Sequence, residues 1–328
     1  MSGLPDRQFQ LAAAGLAAVV PLYIAVQTAY VVLTRLSSGA GAGGLAILPY
    51  AMLALIVFTF LFIWLSGWHR DLHWRRFGIW SLPVPARATV LSGIGSAMML
   101  SSIPLSYSLP EVSIPLMLVL QRGGVLAAAP VVDLLHRRRI HWSGITALLL
   151  VALALLMVLR ARDGLALSPL AVLVVALYNA GFVLRLAMMT RIAKRGDVAG
   201  TRRYFVEEKL IALPLGLLAL MTVISFGADA GGFAAIAQIH WSPPLEFAAL
   251  GMGALMATAS LLTALILLNA RENSFCVPLE RASSLLAGLG AAWLLHLAWN
   301  QAVPTSEEMS GAVLLLLAVT LLAFTGRK

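Results

Sequence analysis

The chain has 328 residues, 60% of them hydrophobic and 11% charged, against about 45–50% and about 25% in an ordinary soluble domain. That balance excludes a water-soluble fold, and at roughly 20 residues per crossing the length accommodates about ten membrane spans. The formal net charge of +9 is no nucleic-acid signal, because Lys and Arg cluster between apolar runs, where they report topology; the single Cys276 excludes an intramolecular disulfide.

The first apolar run covers 11–34, well beyond the roughly 7–15 residues of a signal-peptide core, and is read as a span rather than a leader. Nine more follow at 45–67, 88–107, 112–135, 143–160, 168–190, 205–226, 245–268, 275–297 and 309–325. Lipid offers no hydrogen-bond partners, so each is expected to be helical. The runs are continuous rather than alternating, which excludes an outer-membrane barrel. With a cytoplasmic N-terminus, the basic groups around Arg70–Arg87, Arg137–Arg139, Arg191–Lys209 and Arg327–Lys328 all fall inside, and only Arg35, Arg160 and Arg162 fall outside. That asymmetry predicts an inner-membrane, multi-pass protein with both termini cytoplasmic. Trp64, Trp68, Trp142, Trp241 and Trp299 lie near span ends, where indole rings suit the headgroup layer.

An internal repeat is readable. Span four carries Gln121-Arg122-Gly123-Gly124 and span nine Glu280-Arg281-Ala282-Ser283-Ser284, each ahead of an apolar stretch and behind a proline, Pro115 or Pro278. Span five opens Trp142-Ser143-Gly144 and span ten Met309-Ser310-Gly311, while spans one and six end in Thr34-Arg35 and Thr190-Arg191. Five spans per half is an odd number, so the halves, 1–165 and 166–328, enter from opposite sides and the repeat is inverted. Inverted repeats recur in secondary transporters, where two pseudo-symmetric halves expose one site to alternate sides. The expected fold is therefore an all-α polytopic bundle of ten helices in two inverted five-helix repeats.

On the 5 + 5 layout and the Arg-small-small cores of spans four and nine, the sequence resembles the drug/metabolite transporter superfamily and, within it, the EamA-like ten-helix transporters. Where that family often carries an acidic residue near the end of the fourth span, this chain has His136-Arg137-Arg138-Arg139, with Asp133 one turn earlier. The resemblance implies a central cavity near the repeat interface and export or exchange of small metabolites.

A charge within a span costs roughly 2.5–3.5 kcal/mol on insertion scales and belongs against a partner or cavity. Arg122 and Arg281, repeat-equivalent, are candidates for an anionic group on the substrate; the alternative is that they pair with Glu280 and fasten helices. Glu280 is the candidate for proton coupling, with a permanent ion pair as the alternative. Arg185 is a further intramembrane charge, and Glu207 and Glu208 read as solvated interface charges. Gln27, Tyr30, Tyr107, Gln121, Tyr178, Asn179, Ser283 and Ser284 are candidates to complete a substrate site, or else interhelical hydrogen-bond glue. Pro21, Pro115, Pro130 and Pro214 are expected to bend their spans, and Gly123, Gly124, Gly251, Gly253, Gly288 and Gly290 to mark close helix contacts.

His69 and His73 share a helical spacing, but the other histidines are dispersed, and no metal or other cofactor is expected. No Gly-rich phosphate loop with a following Lys is present. The expected function is alternating-access transport of a small polar or anionic metabolite, as exporter or exchanger. The alternatives are translocation of an amphipathic or lipid-linked anion, a channel or scramblase, and an integral membrane enzyme. The expected partners are a small-molecule substrate and membrane lipid, with a homodimer allowed for.

Overall fold

The computed structural model describes residues 4–38, 44–72, 74–77, 80–109, 112–135, 145–146, 149–150, 152–154, 156–157, 168–192, 198–227, 242–267, 273–302 and 304–325. Among the described residues run nine long helices: α1 (Leu4–Ser37), α2 (Ile47–Leu65), α3 (Arg87–Ser108), α4 (Ile114–Leu135), α5 (Pro169–Ile192), α6 (Val198–Gly227), α7 (Pro243–Leu267), α8 (Asn273–Trp299) and α9 (Ser306–Thr325). Helices α1–α4 are the first four predicted spans, and α5–α9 the sixth to tenth. The fifth, 143–160, lies largely outside the described residues. An antiparallel hairpin of β1 (Trp74–Phe77) and β2 (Trp80–Pro83) interrupts the connection from α2 to α3. Helices α1–α3 and α5–α8 each hold a stretch long and apolar enough to cross a membrane, so the chain is a multi-pass α-helical membrane protein.

Helices α1 and α6 start before their apolar runs. Arg202 and Arg203, expected in a loop, lie in α6, because arginine is a good helix former and hydropathy marks the lipid boundary rather than the helix end. Pro21, Pro104, Pro214 and Pro278 are interior to α1, α3, α6 and α8. Pro115, by contrast, falls in the first turn of α4, where its missing N–H has no intrahelical partner to lose.

The helices distribute over two compact units that cut across the two halves of the chain. In the unit of Leu33–Val112 and Leu167–Ala257, α3 is the central helix and packs against both α5 and α6. A Cβ on Gly95 would meet the Gly181 carbonyl oxygen at 2.6 Å, and one on Gly181 would meet the Gly95 carbonyl oxygen at 2.5 Å. The two backbones touch, and only glycine permits it at either position. Gly253 of α7 plays the same part against Ala51, Ala54 and Leu55 of α2. The serines in the second half of α3 donate back to their own helix: Ser102 to Met98 O at 2.8 Å, Ser106 to Ser102 O at 2.6 Å and Ser108 to Pro104 O at 2.8 Å. Such back-bonding satisfies a buried hydroxyl's hydrogen within its own helix.

Arg35 runs against the positive-inside pattern, and the structure supplies the reason. Its Nη1 donates to the carbonyls of Tyr107, at 3.4 Å, and Leu109, which lie at the C-terminal end of α3. A guanidinium there satisfies orphan carbonyls and opposes the negative end of the helix dipole. Trp68 meets Phe62 and Phe205 edge-to-face at 5.2 and 5.5 Å, with the Arg202 guanidinium 5.7 Å from its ring centre.

The other unit comprises Met1–Val32, Ser113–Ala166 and Thr258–Lys328. Its described helices are most of α1, α4, the end of α7, α8 and α9. The start of α9 is a reciprocal capping box: the Glu308 N–H donates to Thr305 Oγ1 and the Thr305 N–H to Glu308 Oε2, both at 3.2 Å. Ser113, which caps α4 by accepting from the Leu116 N–H at 3.3 Å, donates its hydroxyl to Glu308 Oε1 at 2.5 Å. One buried carboxylate therefore serves the N-termini of two helices. Glu308→Ala is expected to cost about 1–2 kcal/mol, the upper range for a lost cap, read as a lowered Tm in detergent; Glu308→Gln, which keeps an acceptor, is expected to lose less. Helix α8 stops at Asn300, whose φ of 52° allows the Asn300 and Gln301 N–H groups to return to His296 O and Leu295 O.

Candidate functional site

Among the described side chains of α1 the buried positions are Leu16, Tyr23, Gln27, Tyr30, Val31, Thr34 and Ser37, while Leu22 is exposed. Spacings of three and four place Tyr23, Gln27, Tyr30, Thr34 and Ser37 on one face. That buried face carries hydroxyl and amide groups, which lipid would leave unsatisfied.

Tyr23 anchors the ionic cluster of this unit. Its ring packs among Leu16, Ala259, Leu262 and Ile266. Its hydroxyl donates to Glu280 Oε1 at 3.0 Å and has Thr263 of α7 as a further hydrogen-bond partner. Glu280 Oε2 lies 2.7 Å from Arg281 Nε, an ion pair between sequence neighbours that lacks the alignment of a good hydrogen bond. The charged side chains acting electrostatically on the Tyr23 hydroxyl are Glu280, Arg122 and Arg281. Arg122 is 3% exposed, Glu280 2% and Arg281 1%, so α1, α4 and α8 bring two guanidiniums, one carboxylate and one phenol to a place closed to lipid and water. Thr28 of α1 fixes the neighbouring turn by donating to Ala287 O of α8 at 3.1 Å.

Of the residues singled out from sequence, Arg122, Gln121, Glu280, Arg281, Gln27 and Tyr30 are buried in this unit. Ser283 and Ser284 are there too, but their hydroxyls donate to Leu279 O and Arg281 O of their own helix, at 2.7 and 2.9 Å. Tyr107, Tyr178 and Asn179 belong to the other unit. Tyr107 and Tyr178 are buried, and Asn179 donates back to Val175 O of its own helix at 2.9 Å. Tyr23 escaped the sequence reading although it lies one turn before Gln27 on the same stripe; the helical spacing was the available signal.

A second ionic cluster occupies the α3–α5–α6 contact. Glu208 is fully buried and Glu207 nearly so, which corrects their reading as solvated charges. Arg185 of α5 grips Glu208 as a fork, Nε to Oε1 at 2.6 Å and Nη2 to Oε2 at 3.4 Å, and the Ser96 hydroxyl of α3 donates to the same carboxylate. One turn before Glu208, the Tyr204 hydroxyl shares a 2.6 Å hydrogen bond with Ser92 of α3. Glu207 accepts from the Ala86 N–H at 3.3 Å, where its charge suits the N-terminus of α3. Buried Lys209 places its ammonium 5.4 Å from the Phe205 ring centre. Glu207 and Glu208 stand among basic residues in sequence, and a reading as solvated interface charges follows from that composition; only α3 and α5, folded over them, exclude water.

Among the described residues no group of His, Cys, Asp and Glu is placed to hold a metal ion. His69 and His296 lie 3.5 and 2.8 Å from backbone carbonyls of Ile63 and Gln301. His73, His136, His141 and His240, the run Arg137–Arg139 and the side chain of Asp133 lie outside the described residues.

No protein-family model and no curated protein matches this sequence. The fold itself recurs, since 21 chains of solved structures match it. One of these, described only as the crystal structure of a protein, is similar over 96% of this chain and 98% of its own, at a TM-score of 0.59 and 12% sequence identity. That likeness concerns the fold alone.

Proposed function

We propose that the chain is a secondary transporter of the inner membrane, with cytoplasmic termini, which moves a small polar or anionic metabolite by alternating access. In this reading it has ten spans in two inverted five-helix repeats, as in the EamA-like members of the drug/metabolite transporter superfamily that its sequence resembles. The observation that carries the reading is the burial of Arg122 and Arg281, from repeat-equivalent helices α4 and α8, around one tyrosine and one carboxylate in the same unit. Removing two guanidiniums from water costs more than their pairing returns, and an apolar replacement of the same volume is often as stable. Intramembrane charges are accordingly a mark of a substrate or ion path.

Support for the repeat comes from the packing within each unit. Under exchange of the halves, α1 corresponds to α5, α2 to α6, α3 to α7 and α4 to α8. Helix α3 packs against α5 and α6, and its counterpart α7 packs against α1, through Leu262 and Ile266 with Leu16 and Tyr23, and against α2, through Gly253. Of the other helix contacts, α2 with α6 and α4 with α8 map onto themselves, while those of α9 with α4 and α8 would correspond to contacts of the fifth span, which lies largely outside the described residues. A two-fold operation relating the halves would account for the part of this pattern that the described residues cover.

The test is counterflow in proteoliposomes loaded with a panel of amino acids, organic acids, sugar phosphates and nucleotides. Wild type is expected to exchange at least one of them, and Arg281→Ala to lower that exchange at least about a hundredfold while still inserting and eluting as a folded protein. Undiminished exchange in the variant removes Arg281 from the path. Turnover of a substrate without vesicles points to an enzyme instead.

A further inference from the structure

One end of the unit of Leu33–Val112 and Leu167–Ala257 gathers cations and indoles at its surface. Gly67, with a φ of 73°, turns the chain from the end of α2 into a short 3-10 segment, Trp68–Asp71, whose Arg70 N–H donates to Gly67 O at 3.1 Å. That turn sets Trp68 against Phe62 of α2 and Phe205 of α6, with the Arg202 guanidinium over the indole. The Ala86 N–H, immediately before α3, donates to Glu207 and so brings the start of α3 to the same part of α6. In these segments Arg70, Arg87 and Arg202 are exposed, as are Trp64, by 68%, and Trp74, by 51%. The charge is one-sided. Residues 60–90 hold four arginines against one acid, Asp71, and residues 191–206 hold four arginines and a lysine against one acid, Asp197. Glu207 and Glu208, which follow, are buried.

We infer that this end of the unit is a docking surface for the phosphodiester headgroups of anionic phospholipids, centred on the Arg202 guanidinium. The inference is independent of what the protein transports. A guanidinium held over an indole has given up side-chain freedom before a ligand arrives, and its N–H edge suits bidentate contact with phosphate oxygens. The apolar surface beside it selects lipid over a soluble acidic partner. On α2, Leu61, Trp64 and Leu65 are exposed, Leu65 by 69%, and run directly into the basic turn. Leucines so exposed belong in hydrocarbon and the indoles at its boundary, so the arginines that follow in the chain stand at the level of the phosphates. Headgroups of the surrounding bilayer therefore reach Arg70 and Arg202 with no second macromolecule, and anionic ones are held by the unbalanced charge.

The test is thermal unfolding of the detergent-purified full chain in mixed micelles, with phosphatidylglycerol replacing phosphatidylcholine in steps. Wild type is expected to gain stability as the anionic lipid rises, and to lose most of that gain in about 0.5 M salt. Arg202→Gln and Arg70→Gln should each raise the phosphatidylglycerol fraction needed for half the gain about fivefold, the effect of one cation near an anionic surface. Arg202→Lys, which keeps the charge without the planar fork, should fall between Arg202→Gln and wild type. Removing Arg327 and Lys328 together, as Arg327→Gln with Lys328→Gln, takes two charges from the end of the chain and should leave the midpoint unchanged. Unfolding in phosphatidylcholine alone checks that each variant folds; Arg70→Gln, which leaves Trp68 and Arg202 in place, decides the matter if Arg202→Gln does not. Equal stabilisation of wild type by the two lipids, an unchanged midpoint in Arg70→Gln, or an equal loss in the C-terminal variant overturns the inference. So does the same gain from inorganic phosphate in phosphatidylcholine micelles, which makes a soluble phosphate the occupant.

Discussion

Glu208→Ala is expected to destabilise the protein by about 3–5 kcal/mol, the cost of leaving one member of a buried ion pair without its counter-charge. Arg185 is 8% exposed and Glu208 0%, so water cannot take over the lost contact, and the Ser96 hydroxyl loses its acceptor in the same step. The check is thermal unfolding in detergent alongside Arg185→Met and the double variant Arg185→Met with Glu208→Leu. Because removing both charges restores an apolar contact, the double variant is expected to be more stable than either single one. If each single substitution costs under about 1 kcal/mol, the level of a solvent-screened pair, the cluster is open to water and the account of α3, α5 and α6 as a dry contact is wrong.

Gly181→Val is expected to cost about 3 kcal/mol or more, the upper end for overpacking, since the obstacle is backbone rather than a movable side chain. A Cβ at Gly181 would lie 2.5 Å from Gly95 O, 2.8 Å from Met98 Cβ and 3.2 Å from Met99 N, and α3, held between α5 and α6, has nowhere to retreat. The separation would also pull Arg185, one turn further along α5, away from Glu208. Gly290→Ala is the internal control. Its nearest neighbour, Thr28 Oγ1, would sit at an ordinary 3.7 Å, so the gain in helix propensity of up to about 1 kcal/mol should appear undiminished. Equal losses at both positions would mean that helix approach does not set the stability of α3 against α5.

The two ionic clusters differ in how far the sequence disclosed them. Arg122, Glu280 and Arg281 stand out because each is a charge inside an apolar run, and the similar sequences around Arg122 and Arg281 suggest comparing the two. Tyr23 carries no charge to mark it, and only its spacing from Gln27 and Tyr30 places it on their face of α1. Glu208 misleads outright: with Arg202, Arg203 and Lys209 around it, local composition reads as a solvated interface, and only the packing of α3 and α5 reverses that. Arg35 shows the same dependence in milder form, since its place among the outer residues makes sense once the end of α3 is found beneath it.

Hydropathy along the chain determines by itself that these segments are helical and membrane-spanning, because the absence of water in hydrocarbon compels every backbone amide to bond within its own helix, and that compulsion is local. Which helices touch, which glycines let backbones meet, and which charges share a pocket are decided by surfaces brought together from distant parts of the chain. A one-dimensional pattern of Leu, Ala and Gly scarcely distinguishes one face of such a helix from another, so the Tyr23–Glu280–Arg281 and Ser96–Arg185–Glu208 contacts emerge only when the helices pack.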